Sequence, residues 1–230
     1  MFVALPTRER PTPRWATPLL LTVSAALFIW ASNQPEAAQK ALLLDWGALG
    51  RLPEGPGAWL GALREGAFLR LFTALFLHTD WAHLLGNLVF LLIFGLPAER
   101  AMGAWRFLVL FLVGGAFANL VAVLFSGTPD QLIVGASGAV SAVIGAYLAL
   151  FPNARLGVVL PLGLFLEFVR APASLLIGIW VLLQIGFAYI GPAFGEVAWS
   201  AHIAGFAFGV VFALLARGAI ARRMRRRRGY

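Results

Sequence analysis

The chain contains no cysteine among its 230 residues, which excludes disulfides, thiol catalysis and cysteine-ligated metal. Charge is almost as scarce: 12% of the residues are Asp, Glu, Lys or Arg, where a soluble domain carries about 25%. Histidine occurs only at positions 78, 83 and 202. No internal repeat, phosphate-cradling glycine loop or transporter-like inverted repeat is evident. What the chain does have is apolar sequence, 60% of its residues, in runs approaching the ~20 residues that carry a helix across a bilayer core. That composition is one of a membrane protein.

Hydropathy predicts an all-α polytopic bundle with spans at about 15–33, 82–98, 105–125, 137–151, 172–191 and 199–217. Arginine sets their orientation. Arg8, Arg10 and Arg14 precede the first span, Arg100 and Arg106 follow the second, and Arg155 follows the fourth. Arg217, Arg222, Arg223, Arg225, Arg226, Arg227 and Arg228 close the chain. The positive-inside rule puts all of them in the cytoplasm, and six crossings place both termini there. The expected organisation is a cytoplasmic segment over 1–14, a membrane domain over 15–217 and a basic tail over 218–230. The tail, RRMRRRR at its core, is expected to face anionic lipid rather than nucleic acid.

The first span is expected to be a retained anchor; the alternative is a secretory signal ending at Ala31–Asn33. The long outer segment over about 34–81 is broken by Pro35, Pro53 and Pro56 and holds only short apolar patches. It is expected to lie along the interface as short amphipathic helices, with Trp46 and Trp59 at headgroup level.

Polar side chains inside the spans are costly and so informative. His83 and Asn87, in AHLLGNLVF, stand four residues apart and share a helix face. Taken alone, the pair reads as a hydrogen-bonding link between helices. Ser137, in GASG, opens the fourth span, where free backbone N–H groups can stabilise a developing oxyanion. The plainer reading makes Ser137 a helix cap and Gly135 and Gly138 packing residues. His202, in SAHIAGFAFG, enters the membrane at the level of Ser137. Ala201, Gly205 and Gly209 form a small-residue stripe beside it, and Gly138, Ser141 and Gly145 offer a comparable narrow face on the fourth span. If the two faces meet, His202 can take the Ser137 proton as general base. No Asp or Glu is near in sequence to orient the imidazole, so a Ser–His dyad is expected.

His83–x–x–x–Asn87, Gly135–Ala136–Ser137–Gly138 and Ala201–His202–Ile203–Ala204–Gly205 with Gly209 occur in that order across 83–209. This set resembles the rhomboid intramembrane serine proteases, and the six-helix layout extends the likeness over nearly the whole chain. The resemblance implies Ser137 as nucleophile, His202 as base, and His83, Asn87 and the Ser137 backbone N–H as oxyanion donors. It implies structural parts for Leu69–Arg70 with His78, where Leu69 stands for the family's tryptophan, and for Glu99–Arg100 with Gly103, where Glu99 bonds nearby backbone or Arg100. Many members place an aromatic residue four positions after the nucleophile, against the catalytic histidine; here that position is Ser141. No cofactor or metal is implied.

The segment 152–171, which includes Pro152, Pro161, Glu167 and Arg170, is expected to dip into the inner interface. Trp180 and Gln184 on the fifth span share a face, expected to pack against neighbouring helices rather than to gate the second span. The reading as a whole expects substrates that are single-span membrane proteins cut near the outer face at small or helix-breaking residues. The alternatives are a non-proteolytic rhomboid-like binding factor and a transporter with a His–Asn polar path. A bacterial plasma membrane is the expected location.

Overall fold

In the computed structural model, residues 14–50, 57, 58, 60, 61, 66–126, 128, 130–162, 165–190 and 198–228 are described. Arg8, Arg10, Pro53, Pro56 and Trp59 lie outside them. A helix occupies each expected span: α1 (Ala16–Ser32), α4 (Trp81–Met102), α5 (Ala104–Leu124), α6 (Ser137–Leu150), α7 (Ala173–Ile190) and α8 (Trp199–Arg228). The outer segment supplies α2 (Glu36–Trp46) and α3 (Ala67–Thr73), the latter prolonged by a 3₁₀ turn, Ala74–Phe76. α4, α5, α7 and α8 are long and apolar enough to cross a membrane, while α1 and α6 are shorter apolar helices of 17 and 14 residues.

Local sequence explains where several elements begin and bend. Pro35 follows α1 and caps α2, whose first turn carries Glu36. Asp80 caps α4 by accepting the His83 backbone N–H at 2.8 Å. Within α4, Leu91–Gly95 is a π-helical turn. Pro97 cannot supply the N–H that would close an α-turn on Ile93, and the wider turn absorbs the gap.

Two ends differ from the sequence reading. α4 runs past 98 to Met102, so Glu99 and Arg100 sit on the helix and the turn falls at Gly103, whose φ of +89° suits glycine. α8 runs past 217 to Arg228, because the arginines and alanines of the tail are good helix formers. The all-α expectation also needs two corrections. β1 (Ala48–Leu49) pairs antiparallel with β2 (Leu132–Ile133), Ala48 opposite Ile133. Residues 155–172 are a ribbon: β3 (Arg155–Leu162) pairs with β4 (Phe165–Pro172), Arg155 opposite Pro172 and Leu162 opposite Phe165. Val158, Val159, Phe168 and Val169 favour that extended form.

α6 is the centre of the bundle. Every residue from Gly138 to Tyr147 is buried, as befits a helix that is small and apolar all round. Its closest neighbour is α8. A Cβ on Gly205 would run into the Gly138 carbonyl, one on Gly209 into the Ala142 carbonyl, and one on Gly145 into the Phe206 carbonyl. These three glycines let two backbones touch. α6 also meets α5, where a Gly138 Cβ would lie 2.7 Å from that of Ala118. The core continues through Leu91, Phe107, Phe111, Val143 and Ile144.

Candidate active site

Ser137 is the first residue of α6, with Ala136 at the cap position and no side chain capping the helix. Among the described residues the Ser137 hydroxyl caps nothing, so the plainer reading of GASG fails for the serine, while Gly138 does serve close helix packing. The segment leading into it is pinned three ways. β2 pairs with β1, the Gly50 N–H donates to the Gln131 carbonyl at 2.9 Å, and the Gly135 N–H donates to the Ala74 carbonyl at 2.8 Å. Gly135 has φ +109°, and a Cβ there would collide with His83 Nε2. Its bareness lets the His83 ring lie against the backbone two residues before the serine.

Ser137, His202, His83 and Asn87 line one cavity of about 280 Å³, together with Trp180, Gln184 and Trp199. Ser141 also lines it, but its hydroxyl donates to the Ser137 carbonyl at 2.7 Å, within α6. It therefore steadies the first turn of α6 and does not replace an aromatic ring against His202. Two other residues hold that imidazole. Trp199 meets it edge to face, centroids 5.8 Å apart, from three positions earlier on α8. Gln184 Oε1 lies 2.6 Å from His202 Nδ1. Among the described residues the hydrogen-bond partner of this imidazole is an amide on α7. The shared face of Trp180 and Gln184 thus turns toward the cavity.

The His83 side of the cavity has its own hydrogen bonds. Asn87 Nδ2 lies 3.1 Å from His78 Nε2, which uses one amide hydrogen and leaves the other available. Thr79 Oγ1 donates to Asp80 Oδ2 at 2.9 Å and lies 3.2 Å from His83 Nδ1. Its single proton being spent on Asp80, it can accept from His83 Nδ1–H. The rings of His78 and His83 meet at 5.1 Å. Burial, then the neighbouring His83 charge, lower the His78 pKa to about 4. Hydrogen bonds from the His83 backbone N–H and from Thr79 lower that of Asp80.

The remaining expected residues lie away from the cavity. Arg70 donates to the Leu44 carbonyl at 3.2 Å and ties α3 to α2. Glu99, buried at the far end of α4, accepts the backbone N–H groups of Ala16 and Thr17 at 3.0 and 2.9 Å. Arg100 is exposed on the same turn. Gly205 and Gly209 lie in the α6–α8 contact, and Gly138 lies between α5 and α8. Asn119, absent from the sequence reading, joins α5 to α3 through the Leu71 carbonyl at 2.9 Å. Its signal was a lone amide in an otherwise apolar span. The signal for Trp199 was its three-residue spacing from His202.

Residues 65–219 match the family model described as Rhomboid domain. Rhomboid protease GluP of Bacillus subtilis is 32% identical over 158 residues, 68% of this chain and 27% of that protein. RHOMBOID-like protein 5 of Arabidopsis thaliana is 30% identical over 160 residues, covering 60% and 51%. Rhomboid-related protein 2 of Mus musculus is 28% identical over 203 residues, covering 85% and 61%. The chain thus spans between 27% and 61% of the length of these relatives. With a domain match over well more than half its residues and several apolar membrane-length helices, the chain belongs to the rhomboid family of multi-pass integral membrane proteins.

Proposed function

We propose that the chain is an intramembrane serine endopeptidase that cuts single-span membrane proteins near the extracytoplasmic face, with Ser137 as nucleophile and His202 as general base. The observation that carries this reading is the convergence of Ser137, His202, His83 and Asn87 on one cavity at the N-terminus of α6. GluP, 32% identical, is named a rhomboid protease.

In the proposed reaction Ser137 Oγ attacks the scissile carbonyl carbon while its proton passes to His202 Nε2. The new oxyanion takes hydrogen bonds from the Ser137 backbone N–H at the positive end of α6, from the free Asn87 amide hydrogen and from the His83 ring. Collapse breaks the C–N bond, and His202 returns the proton to the leaving amine. Water then repeats the sequence on the acyl-serine. No cofactor is needed for any step. A helical substrate hides its carbonyls in internal hydrogen bonds, so small or helix-breaking residues that let it open into extended form are favoured.

The membrane arrangement proposed with this mechanism has six crossings, α1 and α6 included. The segment 1–14 and the basic tail 218–230 lie in the cytoplasm of a bacterial cell, the tail against anionic lipid and not nucleic acid. The purified chain reconstituted in liposomes is expected to cleave a fluorogenic transmembrane substrate. Ser137→Ala and His202→Ala lower cleavage by roughly 10³-fold or more. A fluorophosphonate is expected to label the wild type and leave Ser137→Ala unlabelled. Equal cutting by folded Ser137→Ala overturns the reading, and a wild type that neither cuts nor labels points to a non-proteolytic binding role.

A further inference from the structure

Among the described residues, no carboxylate lines the cavity. Its described lining offers only the amides of Asn87 and Gln184, the Ser137 and Ser141 hydroxyls, His83 and indole rings as polar partners. Asn87 is engaged with His78, and Ser141 with the Ser137 carbonyl. Among the described residues Gln184 alone hydrogen-bonds His202, at 2.6 Å, and it is 92% buried on α7, a helix whose other residues are mostly apolar and not buried. An amide in such a helix is costly unless it is satisfied from within the bundle.

A serine–histidine pair requires one imidazole tautomer. The proton must reside on Nδ1 so that the Nε2 lone pair can receive the hydroxyl proton. An acceptor at Nδ1 enforces that state. A donor there enforces the opposite one, in which the ring cannot act as base. Among the described residues no hydrogen bond engages His202 Nε2, which leaves it for the serine. We infer that Gln184 is the positioning residue of His202: its amide oxygen accepts Nδ1–H and holds the ring in the tautomer able to take the Ser137 proton.

This inference rests on the reading of Ser137 and His202 as nucleophile and base. It assigns to a neutral side chain on α7 the orienting part that a carboxylate plays in a triad. Trp199, edge-on to the ring, restricts its tilt but cannot select the tautomer. Which end of the amide faces Nδ1 fixes the outcome. A glutamate at 184, which when ionised can only accept, therefore reproduces the effect.

The test uses the full chain in micelles. Imidazole ¹⁵N shifts, assigned to His202 by comparison with His202→Gln, are expected to show the Nδ1–H form in the wild type. In Gln184→Leu they are expected to show a mixture of tautomers. In the cleavage assay Gln184→Leu is expected to lose roughly tenfold to a hundredfold in kcat with KM little changed, and Gln184→Glu to recover most of it. Wild-type shifts and kcat in Gln184→Leu overturn the inference. So does an Nε2–H form in the wild type, or a folded Gln184→Glu no more active than Gln184→Leu. If Ser137→Ala, assayed in parallel, cuts like the wild type, the protease reading falls, while the tautomer measurement still decides the part of Gln184.

Discussion

His78 illustrates how one proton placement is shared among neighbours. The Asn87 amide donates to its Nε2, which requires the imidazole to be neutral, and burial beside His83 lowers its pKa to about 4. Unfolded, the same ring titrates near 6.5, so the unfolded chain binds more protons between those values. The stability that neutral His78 contributes is therefore complete above about pH 6.5 and is lost progressively as pH falls toward 4. Thermal unfolding in micelles is expected to show this loss, of order 1–3 kcal/mol, in the wild type and a flatter profile in His78→Gln. Asp80, its pKa lowered, contributes to a separate and more acidic window below its ordinary value. At this scale the residues lining the cavity were visible as motifs, because His83, Asn87, Ser137 and His202 are each rare polar groups in apolar sequence. The Gln184 contact was not visible. It joins two helices through residues 18 apart, and spacing within one helix carries no information about rotation against another.

Among the elements, α1 depends on a residue far from it in sequence. Glu99 places both carboxylate oxygens on the first free N–H groups of α1, so a side chain of α4 caps the positive end of α1. Glu99→Ala removes two charge-assisted hydrogen bonds and is expected to cost about 2–4 kcal/mol, with Glu99→Gln costing less. Denaturation in mixed micelles measures both. Helices were legible because their apolar runs are long and bounded by proline, glycine or arginine. The ribbon of β3 and β4 was not, since an apolar run of that length carries no period that separates strand from interfacial helix. The end of α4 was misplaced for a related reason: Glu99 and Arg100 read as a polar turn, yet both continue the helix until Gly103 stops it.

For the molecule as a whole, the absence of cysteine makes topology directly measurable. Single cysteines at the exposed positions Lys40 and Asn153 lie before α3 and after α6 respectively. In oriented cells, Lys40→Cys is expected to react with a membrane-impermeant maleimide from outside, and Asn153→Cys only after permeabilisation. Reaction of both from the same side would refute the six-crossing arrangement. The small-residue stripe on α8 was readable as spacing, and its meeting with α6 is what brings Ser137 and His202 to one cavity.

The brevity of α6 has a consequence for the substrate. Fourteen residues make a helix about 21 Å long, and the hydrocarbon layer is ~30 Å thick. In the proposed orientation, with Leu150 at the inner boundary, the serine sits about 9 Å below the outer one, a depth equal to roughly six helical residues. On the proposed protease reading the bundle acts as a depth gauge: it selects the bond to be cut by distance from the membrane surface, and only the outermost two turns of a substrate helix have to open to deliver it.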